Sequence, residues 1–103
     1  MIISTTNNIE GKNIKEYRGV VFGEVVNGIS YEKDFAASFT SFAGGRSKEY
    51  EQELVVSRAD ALNEMISRAT QIGANAIIGV KVDYESFSSL LVVVASGTAV
   101  ILE

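Results

Sequence analysis

The chain has 103 residues, of which 47% are hydrophobic and 21% are charged, with a formal net charge of −4. This balance is typical of one folded domain and excludes a disordered chain, and the acidic charge disfavours nucleic acids and anionic membranes as partners. Cysteine and histidine are both absent, which removes disulfides, thiolate nucleophiles, imidazole bases and the usual soft-metal ligands. We therefore expect a single domain over residues 1–103 that carries no cofactor.

The start of the chain and its most apolar run bear on location. Residues 1–8 lack the basic segment and the long apolar segment of a secretory signal. The apolar run over 90–102 is shorter than the roughly 20 residues that a membrane-spanning helix needs. We therefore expect a cytoplasmic protein whose apolar run is a core strand.

Two strands are predicted in the first part of the chain. Ile2 to Thr6 is a short β-rich segment, and the two asparagines that follow it favour a turn. Ile14 to Val26 is rich in β-branched and aromatic residues and predicts a long strand that ends near Gly28. Within it, Gly19 and Gly23 permit a bulge or a sharp bend.

Two helices are predicted in the middle of the chain. Phe35, Phe39 and Phe42 are spaced by four and three residues, which places them on one face of a short amphipathic helix. A longer helix is capped by Ser47 and stops at Gly73. Its apolar positions recur at helical spacing and are Tyr50, Leu54, Ala61, Leu62, Met65, Ala69 and Ile72.

Two further strands are predicted at the end of the chain. Ala76 to Glu85 has the period of two of a half-buried strand, whose apolar side carries Ile78, Val80, Val82 and Tyr84. Leu90 to Leu102 is apolar on both faces, and one substantial helix covers only one of them, so we expect another subunit to bury part of the second face. The predicted order is β-β-α-α-β-β, an α+β domain with an antiparallel sheet and a final hairpin packed on the long helix.

Ser96, Gly97 and Thr98 interrupt the last strand. Small residues at such a place indicate either a bulge or close backbone approach. We favour close packing between subunits.

A family resemblance extends over nearly the whole chain. The residues that carry it are Thr5-Thr6, Ile9-Glu10-Gly11, Glu16-Tyr17, Gly23-Glu24, Gly44-Gly45-Arg46-Ser47 with Tyr50-Glu51, Gly73-Ala74-Asn75-Ala76 with Gly79-Val80, Asp83-Tyr84-Glu85, and Ala95-Ser96-Gly97-Thr98-Ala99-Val100. The chain thereby resembles the YbjQ family of small bacterial and archaeal proteins, which carry a heavy-metal-binding label. The resemblance implies a dodecin-like fold and a ring-shaped homopentamer, and it implies no settled biochemical activity.

The first candidate site is formed by Gly44, Gly45, Arg46 and Ser47, where a loop enters the long helix. Backbone N–H groups at a helix N-terminus, a guanidinium and a hydroxyl can together hold a phosphate or carboxylate, which predicts a small anionic ligand. The alternative is a two-glycine hinge with a capping serine and an arginine paired with a neighbouring or intersubunit carboxylate. Helix caps are common, so this pattern arises more often for the structural reason.

The second candidate site is the carboxylate pair Asp83 and Glu85, which share one face of a strand. Such a pair can bind a hard cation or act as an acid and base. Two carboxylates are too few for a cation cage, so the site requires Glu24 or Glu16 of the long strand alongside. An exposed strand face is the commoner reason for the same pattern.

Three functions follow from these observations. The leading hypothesis is a non-enzymatic homo-oligomeric module that binds a small or ionic ligand at subunit boundaries. The alternatives are a metal-binding protein, as the family label suggests, and an enzyme that uses the carboxylates around Asp83 and Glu85.

One prediction concerns thiophilic metals. Affinity for such ions comes from thiolate and imidazole ligands, so we expect zinc and copper to bind weakly, through carboxylates alone. Calorimetry on the tag-free protein measures this affinity, and a submicromolar dissociation constant would contradict the prediction. The tag must be removed, because a polyhistidine tag itself binds these metals.

Overall fold

The computed structural model describes residues 1–28, 48–87 and 89–103. Within these residues one helix packs on one face of a four-stranded sheet, in the strand order β1-β3-β4-β2. The elements are β1 (Ile2–Ile3), β2 (Ile14–Gly28), α1 (Lys48–Gln71), β3 (Ala76–Phe87) and β4 (Leu90–Leu102). The predicted α+β class is confirmed, whereas the short helix predicted around Phe35 to Phe42 lies outside the described residues.

The predicted antiparallel sheet is wrong at one edge. β1 pairs in parallel with β3, with Ile2 opposite Ala76 and Ile3 opposite Ile77, so the sheet is mixed. The long stretch of chain between these two strands provides the crossover that a parallel pair needs. β1 is also shorter than predicted. Beyond Ile3 the backbone still bonds to β3, since the Gly79 N–H donates to the Thr6 carbonyl at 2.8 Å and the Val80 N–H to the Ser4 carbonyl at 3.0 Å, but β3 is irregular at Gly79 and the regular ladder ends there.

The long strand β2 contains the two glycines singled out above. Gly19 lies at a register shift in the pairing with β4 and has a φ of 123°, as expected of a bulge. Gly23 lies in regular pairing and has a different role. A Cβ atom at Gly23 would collide with the backbone carbonyl of Ala61 and lie 2.8 Å from the backbone nitrogen of Met65. The helix therefore rests directly on the strand backbone here.

A bulge in β3 overturns the predicted alternation of that strand. Gly79, with a φ of 59°, lies within a register shift between Ile78 and Lys81. Ile78 is consequently on the face away from the helix, whereas Val80 and Val82 pack beneath the helix. A bulge moves the side chains before and after it onto opposite faces, which a strict period of two does not anticipate.

Gly97 lies opposite this bulge. A Cβ atom there would be 2.5 Å from Cγ2 of Ile77 and 3.2 Å from the carbonyl oxygen of Ile78. The glycine is therefore required by packing within the chain. The expectation of close packing between subunits at this residue is not needed to account for it.

The core has two parts, one on each face of β4. The part beneath α1 combines alanines with larger apolar side chains such as Ile77, Leu91 and Val93, and Met65 is its largest fully buried side chain. The second part lies on the opposite face, at the end of the sheet near β1. Its members are Ala76, Ile78, Val100 and Leu102, against which Ile9 and Ile14 pack.

The close approach at Gly23 yields a stability prediction. Gly23→Ala places a methyl group against the backbone of α1, so the helix must move, and we expect the free energy of unfolding to fall by roughly 1–3 kcal/mol or more. Chemical denaturation measures the change. Gly28→Ala is the matched control, because a Cβ atom there meets nothing within 4 Å. Equal stability of the two variants would contradict the prediction.

Candidate functional site

The face of the sheet turned away from α1 carries the described candidate residues. We call it the open face. The pairing registers place on it Val20, Phe22, Glu24 and Val26 of β2, Val92, Val94, Ser96 and Thr98 of β4, and Lys81, Asp83 and Glu85 of β3.

The β2 side of the open face is apolar and accessible. Val20, Phe22 and Val26 expose 66%, 45% and 61% of their surface. Among residues 1–28, 48–87 and 89–103, the second core cluster covers only the opposite end of this face. Glu24 lies between Phe22 and Val26 on the same face and interrupts the apolar surface. Exposed large apolar side chains close to one another are typical of interaction sites on folded proteins.

The β3 side of the open face is acidic. Asp83 and Glu85 line a cleft of about 360 Å³ together with Tyr84, Val92 and Val94. The valines give the cleft an apolar floor and the carboxylates give it a charged border. Lys81 lies nearby, with its Nζ 3.6 Å from an oxygen of Asp83. The placement of both carboxylates on one strand face agrees with the prediction.

A cation cage requires a third carboxylate, but neither Glu24 nor Glu16 lies next to Asp83 and Glu85. Glu24 lies opposite Val94, which separates it from Asp83 by two strand spacings, roughly 10 Å. Glu16 lies far along β2, opposite Ile101, and pairs with Arg18 at 3.1 Å. In the described part of the chain no three acidic side chains come together in a group that could hold a metal ion.

The other candidate site, Gly44, Gly45, Arg46 and Ser47, lies outside the described residues. The helix that it was expected to precede begins at Lys48, with Glu49 and Glu51 in its first turn. Negative charge at this end is favourable because of the helix dipole.

Sequence reasoning missed the role of Arg68 at the edge of β2. Arg68 forms an ion pair with Glu64, one turn earlier on the helix. Arg68 also donates a hydrogen bond of 2.8 Å to the backbone carbonyl of Phe22 and lies 3.3 Å from an oxygen of Glu24. An arginine on a helix gives no signal that it reaches a strand edge, because that contact depends on strand order.

Sequence reasoning also missed two exposed apolar residues of α1. Val55 and Val56 expose 51% and 49% of their surface. A helix face turned to water is usually charged, so two exposed valines are a signal that the sequence does contain. The described helix is not long and apolar enough to cross a membrane.

Comparisons with known proteins place the chain in a family. A family model described as "Putative heavy-metal-binding" (YbjQ_1) matches residues 1–103. The chain is 58% identical to a UPF0145 protein of Acetivibrio thermocellus, over 100% of both chains. It is 53% identical to a UPF0145 protein of Listeria welshimeri, over 100% of this chain and 96% of that one.

A solved structure supports the fold. The crystal structure of a protein of unknown function from Pediococcus pentosaceus, assigned to the DUF74 family, is similar with a TM-score of 0.70 over 100% of this chain and 98% of that one. At 18% sequence identity, this likeness concerns the fold alone. The match of the family model over the whole length and the identity to the UPF0145 proteins show that the chain belongs to the YbjQ family.

Proposed function

We propose that the protein is a non-enzymatic, self-assembling module in the cytoplasm that binds a small or ionic ligand at the boundaries between its copies. The observation that carries this proposal is the open face, where Val20, Phe22 and Val26 are exposed beside a cleft with two carboxylates. An apolar surface next to a polar cleft is a common setting for a ligand at an interface.

Self-assembly follows from the cost of leaving this surface in water. Each apolar side chain that another copy covers contributes roughly 25 cal/mol per Å² of buried area. Closed rings and two-fold dimers are the usual results of such contacts between identical chains. A ring of five copies is favoured by the family resemblance.

Two places can hold the ligand. The Asp83–Glu85 cleft of about 360 Å³ lies at the border of the apolar surface, and its size falls in the usual range for small-molecule pockets. Its charge suits a cationic group. Gly44, Gly45, Arg46 and Ser47 suit an anion, such as a phosphate or a carboxylate.

A metal-binding role is the second candidate, because the matching family is described as "Putative heavy-metal-binding". The donors of this chain favour hard cations, since carboxylate and carbonyl oxygens prefer calcium, magnesium or manganese over soft ions. Asp83 and Glu85 are the described residues that would hold such an ion. Native mass spectrometry with a panel of divalent metals separates this role from binding of an organic ligand.

Assembly is tested by light scattering. We expect the protein to have the mass of several copies at micromolar concentration. Val20→Asp should release single copies that keep their fold, because the side chain is already exposed within one copy and the new charge is buried only on association. Ser86→Asp is the matched control. Ser86 is exposed as well, but it lies on the opposite face of the sheet from Val20. A monomeric native protein would overturn the proposal.

Anion binding is tested by Arg46→Ala. If Arg46 holds the ligand, its loss should weaken phosphate binding by roughly 1.5–3 kcal/mol, the range for hydrogen bonds to charged groups, and leave the melting temperature unchanged. If Arg46 is a structural partner of a carboxylate, the variant should melt earlier or assemble less and show unchanged anion binding. Phosphate titration and thermal denaturation on the same samples distinguish the two results.

A further inference from the structure

We infer that a groove between α1 and β3 binds an anionic amphiphile, a small molecule with an apolar body and one anionic head group. The groove lies within one copy and on the helix side of the sheet, so it is separate from the places proposed above and does not depend on assembly. Its apolar part is a cleft of about 240 Å³, lined by Ile3, Ser4, Thr5, Leu62, Val80 and Val82. Its charged part is Arg58, one turn before Leu62 on α1.

The groove exists because α1 does not cover the whole sheet. The helix lies mainly over β2 and β4, where Gly23 lets it approach the strand backbone. Val80 and Val82 of β3 pack at the edge of the core beneath the helix and are only partly buried. Ile3 and Thr5 border the cleft on its other side, where the chain leaves β1. The cleft is therefore a trough between the helix and the β1 edge of the sheet, with mostly aliphatic walls.

Arg58 lies at one end of this cleft. The hydrogen bond from Asn27 to Ser57 fixes the level of this turn of α1, because the pairing registers place Asn27 level with Ser86 of β3. Arg58 is exposed and lies on the same side of the helix as Leu62, which is the side that faces β3. Arg58 is therefore next to the part of β3 just beyond the apolar lining, where a head group would emerge from the cleft.

The Arg58 guanidinium is available to a ligand. The other two arginines that the structure describes, Arg18 and Arg68, form ion pairs with glutamates. Arg58 has no such partner among residues 1–28, 48–87 and 89–103. The helix itself supplies none, because the positions three and four residues away are all apolar, namely Leu54, Val55, Ala61 and Leu62. An unpaired guanidinium beside an apolar cleft is complementary to an anion that carries an apolar body.

Tyr84 provides a hydroxyl at the same end of the cleft. It is paired with the buried Val93, so its side chain lies on the helix side of the sheet, and 43% of its surface is exposed. A phenol hydroxyl can donate a hydrogen bond to a carboxylate. The neighbouring carboxylates of Asp83 and Glu85 lie on the open face instead, because side chains alternate along β3. This strand therefore presents no acidic side chain on the side of Arg58.

The size and lining of the cleft restrict the apolar body of the ligand. A volume of about 240 Å³ lies below the roughly 300–1,000 Å³ of pockets for drug-sized ligands, so the body is a short alkyl chain or a single ring. The side chains of Leu62, Val80 and Val82 offer no hydrogen-bond partner. A polar group buried against them would lose its bonds to water without replacement. The groove therefore favours a molecule whose charged group is at the end near Arg58.

Titration of the protein with sodium octanoate, followed by NMR, locates the site. Octanoate combines a short alkyl chain with a carboxylate. We expect the backbone amide signals of Leu62, Val80 and Val82 to shift saturably, and those of Val20 and Phe22 on the open face to stay in place. Octylammonium has the same chain with the opposite charge and should not produce these shifts. Shifts confined to the open face, equal shifts with octylammonium, or no shift at all would overturn the inference.

Arg58→Gln tests the charged end of the groove. The variant should raise the dissociation constant for octanoate roughly three- to tenfold, since a charge-assisted hydrogen bond at a partly exposed site contributes modestly, and should melt at the same temperature as the native protein. Lys12→Gln is the matched control, because it removes the same charge from an exposed residue outside the groove. Unchanged octanoate affinity in Arg58→Gln would overturn the inference. Equal weakening by Lys12→Gln would overturn it as well, because only the net charge would then matter.

Discussion

The contact between the backbone of α1 and the backbone of β2 constrains the rest of the described fold. Gly23 leaves no space between the strand and the helix at Ala61. Because side chains alternate along a strand, this contact fixes the two faces of β2. Val21 and Val25 pack into the core beneath the helix, whereas Val20, Phe22 and Val26 lie on the other side of the sheet and are accessible. The close approach at Gly23 thus determines which side chains form the hydrophobic surface on which the proposed assembly depends.

Much of the fold can be predicted from local patterns in the sequence. β4 has the predicted bounds, β2 ends where Gly28 predicts, and α1 ends at Gln71, just before Gly73. These elements are long and strongly periodic, so their patterns are unambiguous. The parallel pairing of β1 is not predictable in this way, because the alternation of side chains does not record the direction of a neighbouring strand. The bulge at Gly79 was missed because a glycine in a strand pattern is compatible with regular pairing as well.

The candidate site was predictable to the same degree. Because side chains alternate between the two faces of a strand, Asp83 and Glu85 can be placed on one face without knowledge of the fold. Whether Glu24 joins them depends on the order of the strands, and β4 lies between β2 and β3. The family description points to heavy metals, but the whole chain lacks the thiolate and imidazole donors that such ions prefer.

Arg68 has a consequence for how far association can proceed. In the described part of the chain, the outer edge of β2 has no strand partner, and a 15-residue edge of this kind is a template for adding strands from other molecules. The guanidinium of Arg68 donates a hydrogen bond to the Phe22 carbonyl of this strand, and its charge lies beside Glu24. A strand arriving from another molecule would have to displace that group and bury its charge. The contact of Arg68 thereby opposes the addition of a further strand at this point of the edge.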